Sequence, residues 1–277
     1  MPATILSGSA AASALRAELK QRTEELYLQY IFPVLATVRI GEDDGAVSYE
    51  RGLLRAAEQT GVRVRRYILP DTVTQRDVAG LIGEINADPL LSGLLLLRPL
   101  PKQLDETALS DLILPAKDVD CANQSAQPCF TPCTAESCME LLRHYGVACE
   151  GRHAVVLGRS KAVGLPTARL LLAQNATVTV CHSKTRDTAA LCREADILVA
   201  ATGRQGMVTR DFVKPGAVVL DVGVHWDANT GRLCGDAAFD ELTELAGAIS
   251  PVPGGVGALT STILMRHVVD AAERSAT

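Results

Sequence analysis

The chain has 277 residues, 47% of them apolar and 21% charged, with a net charge of −5 at neutral pH. That balance excludes disorder and fibrous repeats, leaves enough chain for two domains, and argues against a partner recognised through a nucleic-acid backbone. The start of the chain lacks the basic residues and continuous apolar run of a signal peptide, and no segment is long and apolar enough to span a bilayer, so the expected setting is the cytoplasm, with no membrane partner.

In chain order, residues 9–28 are rich in Ala, Leu, Glu and Lys at helical spacing and predict an amphipathic helix. Residues 32–40 read as a strand, 41–45 as a turn, and 47–60 as a helix ended by Gly61. A strand over 62–69, a helix over 74–87 and a strongly apolar strand over 91–97 follow, the last stopped by Arg98-Pro99. The basic run Arg63, Arg65 and Arg66 reads as a solvated strand face. Alternation of strand and helix implies parallel strands with crossover helices, an α/β fold.

Residues 115–134, with three prolines and little periodicity, read as an interdomain connection before a helix over 135–145. Eight cysteines occur without a C-x-x-C pair, so in a reducing compartment they are free thiols. Cys129, Cys133 and Cys138 are taken as small buried residues, and no metal is expected.

Residues 154–184 form the centre of the second half. Residues 154–157 are a short apolar strand, 158–164 a glycine loop, 165 onward a helix, and 177–181 a β-rich run closing a βαβ unit. A glycine loop at a helix N-terminus presents unpaired N–H groups and suits a pyrophosphate, although GRSKAVG is not G-x-G-x-x-G and the same glycines also permit close strand–helix contact. Where an NAD site usually has an acidic residue, the second strand ends in Cys181-His182-Ser183-Lys184. With Arg159 and Ser160 nearby, this favours a phosphorylated ribose and hence NADP. Further strands are expected over 196–200 and 217–222, then a hairpin-like piece ending at Asp236, a glycine-proline loop over 250–257 and a last helix over 260–272.

GRSKAVGLP at 158–166, TVTVCHSKT at 177–185, KDVD at 117–120 and PVPGGVG at 251–257, supported by VLDVG at 219–223, together resemble the methylenetetrahydrofolate dehydrogenase/methenyltetrahydrofolate cyclohydrolase family over nearly the whole chain. The resemblance implies two α/β domains: a folate-type domain, 1–125 completed by 258–277, and a Rossmann-like NADP domain with a parallel sheet, 126–257. It also implies a cleft between them and a homodimer. By position it implies that Tyr49 stacks on the pterin of a tetrahydrofolate-type substrate and that Asp120 hydrogen-bonds it. Pro253, Gly254, Gly255 and Val256 line the folate site. Gly158, Arg159, Ser160, Gly164, His182, Ser183, Thr202 and Gly203 serve the cofactor.

Four positions depart from the family pattern. Leu53 stands where a lysine, one helical turn after the tyrosine, serves as acid/base, and Arg98 stands where a glutamine tunes that lysine. The connection over 121–127 is short and lacks an Asn-x-Gly element, and Ala258 replaces a proline. All four are expected to face the substrate, with Leu53 and Arg98 in the catalytic set beside Tyr49 and Asp120. These departures point to an NADP-dependent dehydrogenase with weak or absent cyclohydrolase activity. Two alternatives remain: a relative repurposed for another substrate, whose anionic group Arg98 binds, and a silent binding protein.

Overall fold

The computed structural model describes residues 2–228 and 230–276. In chain order it contains β1 (Thr4–Ile5), α1 (Gly8–Leu28), β2 (Val34–Ile40), α2 (Asp44–Thr60), β3 (Arg63–Leu69), α3 (Gln75–Ala87), β4 (Gly93–Leu96) and α4 (Glu106–Ser110). After a long loop come α5 (Cys133–His144), β5 (His153–Leu157), α6 (Gly164–Ala173), β6 (Thr177–Cys181), α7 (Thr188–Arg193), β7 (Ile197–Ala200) and β8 (Val218–Asp221). The remainder is β9 (His225–Asp227), β10 (Arg232–Cys234), α8 (Phe239–Leu242), β11 (Ala248–Ile249) and α9 (Thr260–Ala276).

The chain divides into two α/β units, one made of residues 14–131 with 261–277 and the other of residues 1–13 with 132–260. In the first, β2 is the middle of a three-stranded parallel sheet ordered β3-β2-β4. Helix α2 starts where the Asp43 carboxylate accepts from Ala46 N at 2.9 Å and stops at Gly61, whose φ of 77° is left-handed. Its covered face carries Ala46, Glu50, Leu53, Ala56, Ala57 and Thr60, the three- and four-residue spacing of a single helical stripe. Helix α3 is capped by Thr74, whose hydroxyl accepts from Asp77 N, and brings Val78, Ile82 and Ile85 to the same core as Val38, Leu94 and Leu96.

The second unit holds a six-stranded parallel sheet ordered β1-β11-β8-β7-β5-β6, with β9 and β10 as a separate antiparallel hairpin. Val155, Leu157, Leu198, Ala200 and Val219 are fully covered or nearly so, as strands between two helical layers require. Strand order reverses on either side of β5, so the loops after β5 and β7 open a crevice at the carboxyl edge of the sheet.

Three sequence expectations change. Residues 1–13 join the nucleotide-type unit, because β1 pairs with β11 through Thr4–Ala248 and Ile5–Ile249; two-residue strands leave no periodicity to read. The segment after Lys117 is no free connection. Asp118 bridges to Leu94, its carboxylate accepts from Ala122 N and Asn123 N at 2.9 Å, and the Asn123 amide donates to the Asp111 and Ile113 carbonyls, so this unit runs on to residue 131. The arginines of β3 do more than face solvent. Arg63 lies 4.2 Å over the Phe32 ring, Arg65 pairs with Asp88 at 2.7 Å, and Arg66 pairs with buried Glu50 at 2.9 Å. Of the three clustered cysteines, Cys133 and Cys138 are buried and Cys129 is exposed. Among the described residues no helix is long and apolar enough to cross a membrane.

Candidate functional site

In the 132–260 unit the backbone N–H of Gly158 donates to Cys181 O at 2.9 Å and that of Ala201 to Leu157 O at 2.9 Å, which locks the loops after β5, β6 and β7 side by side. Gly158 has φ +133°, and a Cβ there would overlap the Ala201 carbonyl, whereas one on Gly164 would overlap the Gly158 carbonyl. Both glycines are therefore demanded by close backbone approach, which brings the α6 N-terminus up to the loop. The Ser160 hydroxyl accepts from Val163 N at 3.2 Å and Gly164 N at 3.4 Å and so holds that N-terminus in place.

These loops enclose a cavity of about 400 Å³ lined by Gly158, Arg159, Ser160, His182, Ser183 and Thr202, together with Thr188, Arg204 and Met207, which the sequence reading did not single out. Lys184 N donates to His182 Nδ1 at 3.2 Å, leaving the Nε2 proton to point elsewhere. Backbone N–H groups at a helix start, hydroxyls, and the two cations Arg159 and Arg204 fit a phosphorylated nucleotide, and no carboxylate is among the lining residues. Gly203 adjoins the cavity beside Thr202, with φ +67°.

Residues 251–257 belong to the same unit. Gly8 N donates to Gly254 O at 2.8 Å, Gly254 has φ +100°, and a Cβ on Gly255 would overlap the Pro251 carbonyl. Gly255 and Val256 are buried, whereas Pro253 is exposed.

In the other unit, Tyr49 sits on α2 and is 44% exposed. Leu53, one turn further on, is 0% exposed and belongs to the covered stripe of α2. Arg98 follows β4, is 47% exposed, and donates from Nε to Glu106 Oε1 at 2.8 Å. Asp120 feels this cation. Burial pushes its carboxyl up to about 6, with the Arg98 charge opposing the rise, the Asp118 carboxylate adding to it and His267 opposing it. His267 lies on α9, donates from Nδ1 to Val119 O at 2.7 Å and stacks on Phe130 at 4.9 Å. Neither Glu106 nor His267 was singled out from the sequence; Glu106 lies in a five-residue helix with too short a pattern to read, and His267 lies 147 residues from Asp120 along the chain.

A crevice of glycine and cation chemistry at the switch point of a parallel sheet fits a nucleotide-binding protein of the two-unit α/β class. Two family models match the chain: the tetrahydrofolate dehydrogenase/cyclohydrolase catalytic domain over residues 6–120 and the NAD(P)-binding domain of the same family over residues 132–276. The chain is 43% identical over 281 residues to the bifunctional protein FolD of Moorella thermoacetica, covering 99% of this chain and 100% of that one, and 44% identical to its Ralstonia pickettii counterpart, covering 100% and 98%. The FolD crystal structure from Campylobacter jejuni superimposes with a TM-score of 0.89 at 34% identity, covering 98% and 99% of the two chains. The Trypanosoma brucei enzyme, solved with NADP cofactor and inhibitor, gives 0.88 at 36% identity over 100% and 99%. The chain belongs to the tetrahydrofolate dehydrogenase/cyclohydrolase family. The cavity lies in the matched NAD(P)-binding domain, and the residues around it fit NADP.

Proposed function

We propose that the protein oxidises methylenetetrahydrofolate to methenyltetrahydrofolate with NADP, and that hydrolysis of the methenyl product is weak or absent. The observation that carries the second half is Leu53, an apolar side chain in the covered stripe of α2 where the family pattern implied by the sequence has a lysine. Dehydrogenation and hydrolysis make different demands. NADP, when bound, supplies the hydride acceptor, and the folate nitrogens stabilise the resulting cation, so no protein base is needed at the carbon. Hydrolysis requires water activation and proton movement, which leucine cannot provide.

The remaining residues have orienting roles in this reading. Tyr49, half exposed on α2, stacks on the pterin. Asp120, with its carboxyl raised to about 6, hydrogen-bonds the pterin and is ionised at neutral pH. Arg98 already has Glu106 as counter-ion, which favours this reading over one in which it captures a substrate anion. Arg159, Ser160, Ser183 and Arg204 hold the nucleotide, and residues 253–256 line the folate site. A homodimer is part of the proposal, supported by the exposed apolar side chains Trp226 and Leu233 on the β9–β10 hairpin.

The test is a single incubation of purified protein with methylenetetrahydrofolate and NADP. NADPH formation with accumulating methenyltetrahydrofolate is expected. Methenyltetrahydrofolate hydrolysed as fast as it forms, above the rate in buffer alone, refutes the loss of the second activity. No NADPH at all refutes the first.

A further inference from the structure

The loop after β7 brings Thr202 and Arg204 to the cofactor cavity, while its backbone N–H groups turn to Asp236. Three consecutive N–H groups converge on one buried carboxylate: Thr202 N and Gly203 N donate to Asp236 Oδ2 at 2.5 and 3.1 Å, and Arg204 N donates to Asp236 Oδ1 at 3.0 Å. Successive N–H groups in this arrangement form an anion nest, and here the chain fills the nest itself. Asp236 is wholly buried, and a Cβ on Gly223 would overlap its carboxylate, so the site is cut to fit this side chain. A fourth donor comes from the hairpin: His225 Nε2 donates to Asp236 Oδ1 at 2.7 Å.

Asp236 is held in turn by Asp221. Asp236 N and Ala237 N donate to the Asp221 carboxylate at 2.9 and 2.8 Å, and Asp221 N donates to Ser250 Oγ at 2.8 Å. The three-residue cofactor loop is thus fastened to Asp236, two residues past β10, and His225 on β9 adds one charge-assisted hydrogen bond to the same carboxylate from a side chain that takes no part in lining the cavity.

We propose that His225 and Asp236 are positioning residues for NADP: the histidine fixes the Asp236 carboxylate, and the carboxylate fixes the Thr202–Gly203–Arg204 backbone against which the nucleotide rests. The mechanism is pre-organisation. A loop already in its bound conformation loses less entropy on binding, so loosening it weakens NADP without altering the chemical step. Glutamine, whose amide N–H reaches about as far as the histidine Nε2–H, restores the fourth donor; alanine does not.

The experiment compares wild type, His225→Ala and His225→Gln by calorimetric NADP titration and steady-state kinetics. His225→Ala is expected to raise the NADP Kd and KM about three- to tenfold, the loss of one hydrogen bond to a charged group partly made up by the three remaining N–H donors. Its kcat at saturating NADP and its KM for methylenetetrahydrofolate are expected to stay within about twofold of wild type, and His225→Gln to recover most of the affinity. An unchanged NADP Kd in His225→Ala overturns the proposal, as does a glutamine variant no better than alanine. A fall in thermal stability with both KM values rising together also overturns it, since that pattern marks a merely structural histidine. The inference rests on NADP occupying this cavity; wild-type protein that fails to bind NADP overturns that reading, whereas binding insensitive to His225 overturns this inference alone.

Discussion

Removing the Glu50 carboxylate tests a buried ion-pair network beside Tyr49. Glu50 follows Tyr49 on α2, and its side chain is 3% exposed. It accepts from Arg39 Nε at 3.0 Å, from Arg66 Nε at 3.1 Å and Nη2 at 2.9 Å, and from Thr37 Oγ1 at 3.4 Å. Burial alone would raise its carboxyl, but hydrogen bonds and charge from Arg66, then Arg39, hold it below the ordinary value. Glu50→Ala leaves the Arg39 guanidinium, itself 5% exposed, with only the exposed Glu42 carboxylate at 3.0 Å as counter-ion. Breaking a buried pair from one side costs 3–5 kcal/mol, and the retained Glu42 places this case at about 3 kcal/mol. The urea midpoint of unfolding should then fall by roughly 1–2 M. The double change Arg39→Met with Glu50→Leu removes both charges and should lie within about 1 kcal/mol of wild type, because Arg66 can turn to solvent. If Glu50→Ala unfolds within 1 kcal/mol of wild type, or the double variant is weaker than either single one, the account of this network is refuted.

Two further outcomes follow from the sites. Arg159→Ala should lower kcat/KM with NADP by about ten- to a hundredfold and with NAD by no more than about twofold, because only the phosphorylated ribose gains a charge-assisted bond; equal losses with both cofactors refute that placement. Asp120 gives a pH signature: its carboxyl rises to about 6 in the fold, so its contribution to stability is full below its unfolded value near 3.8 and is lost as pH climbs through 6. The stability of Asp120→Asn relative to wild type should therefore improve by on the order of 2 kcal/mol between pH 4 and 7, while dehydrogenation falls; denaturant melts showing a pH-independent difference refute it.

The nucleotide unit was the more legible half because its function is written in local chemistry. Gly158, Gly164, Arg159 and His182 fall within one βαβ unit, and the short-range rules that place glycine at a tight approach and cations near phosphate act on neighbours in sequence. Helices α1, α2 and α3 were legible to within a few residues from their periodicity and from stops such as Gly61. What escaped depended on distant pairing. Two-residue β1 joins β11 across more than 240 residues, His267 reaches Val119 across 148, and Asp236 collects N–H groups from a loop more than 30 residues earlier. Composition hid the arginines of β3 for the same reason: a run of three cations looks like a wetted surface until the single buried carboxylate that needs one of them is found on α2.

That carboxylate also makes sense of Leu53. Glu50 and Leu53 lie three residues apart on the covered stripe of α2, close enough on a helix for their side chains to interact. Glu50 is already saturated by two guanidiniums and a hydroxyl, so an ammonium at position 53 would add a further cation to a covered face whose one carboxylate has no charge left to offer. A neutral lysine would survive there only with its pKa driven down by burial and by the neighbouring arginines, and leucine removes the conflict at no electrostatic cost. The buried Arg39–Glu50–Arg66 arrangement and the apolar residue at 53 thus form one consistent set. Placing a proton-carrying lysine at 53 calls for dismantling the arginine pair as well, so Leu53→Lys by itself should gain little hydrolysis of methenyltetrahydrofolate and should lose stability.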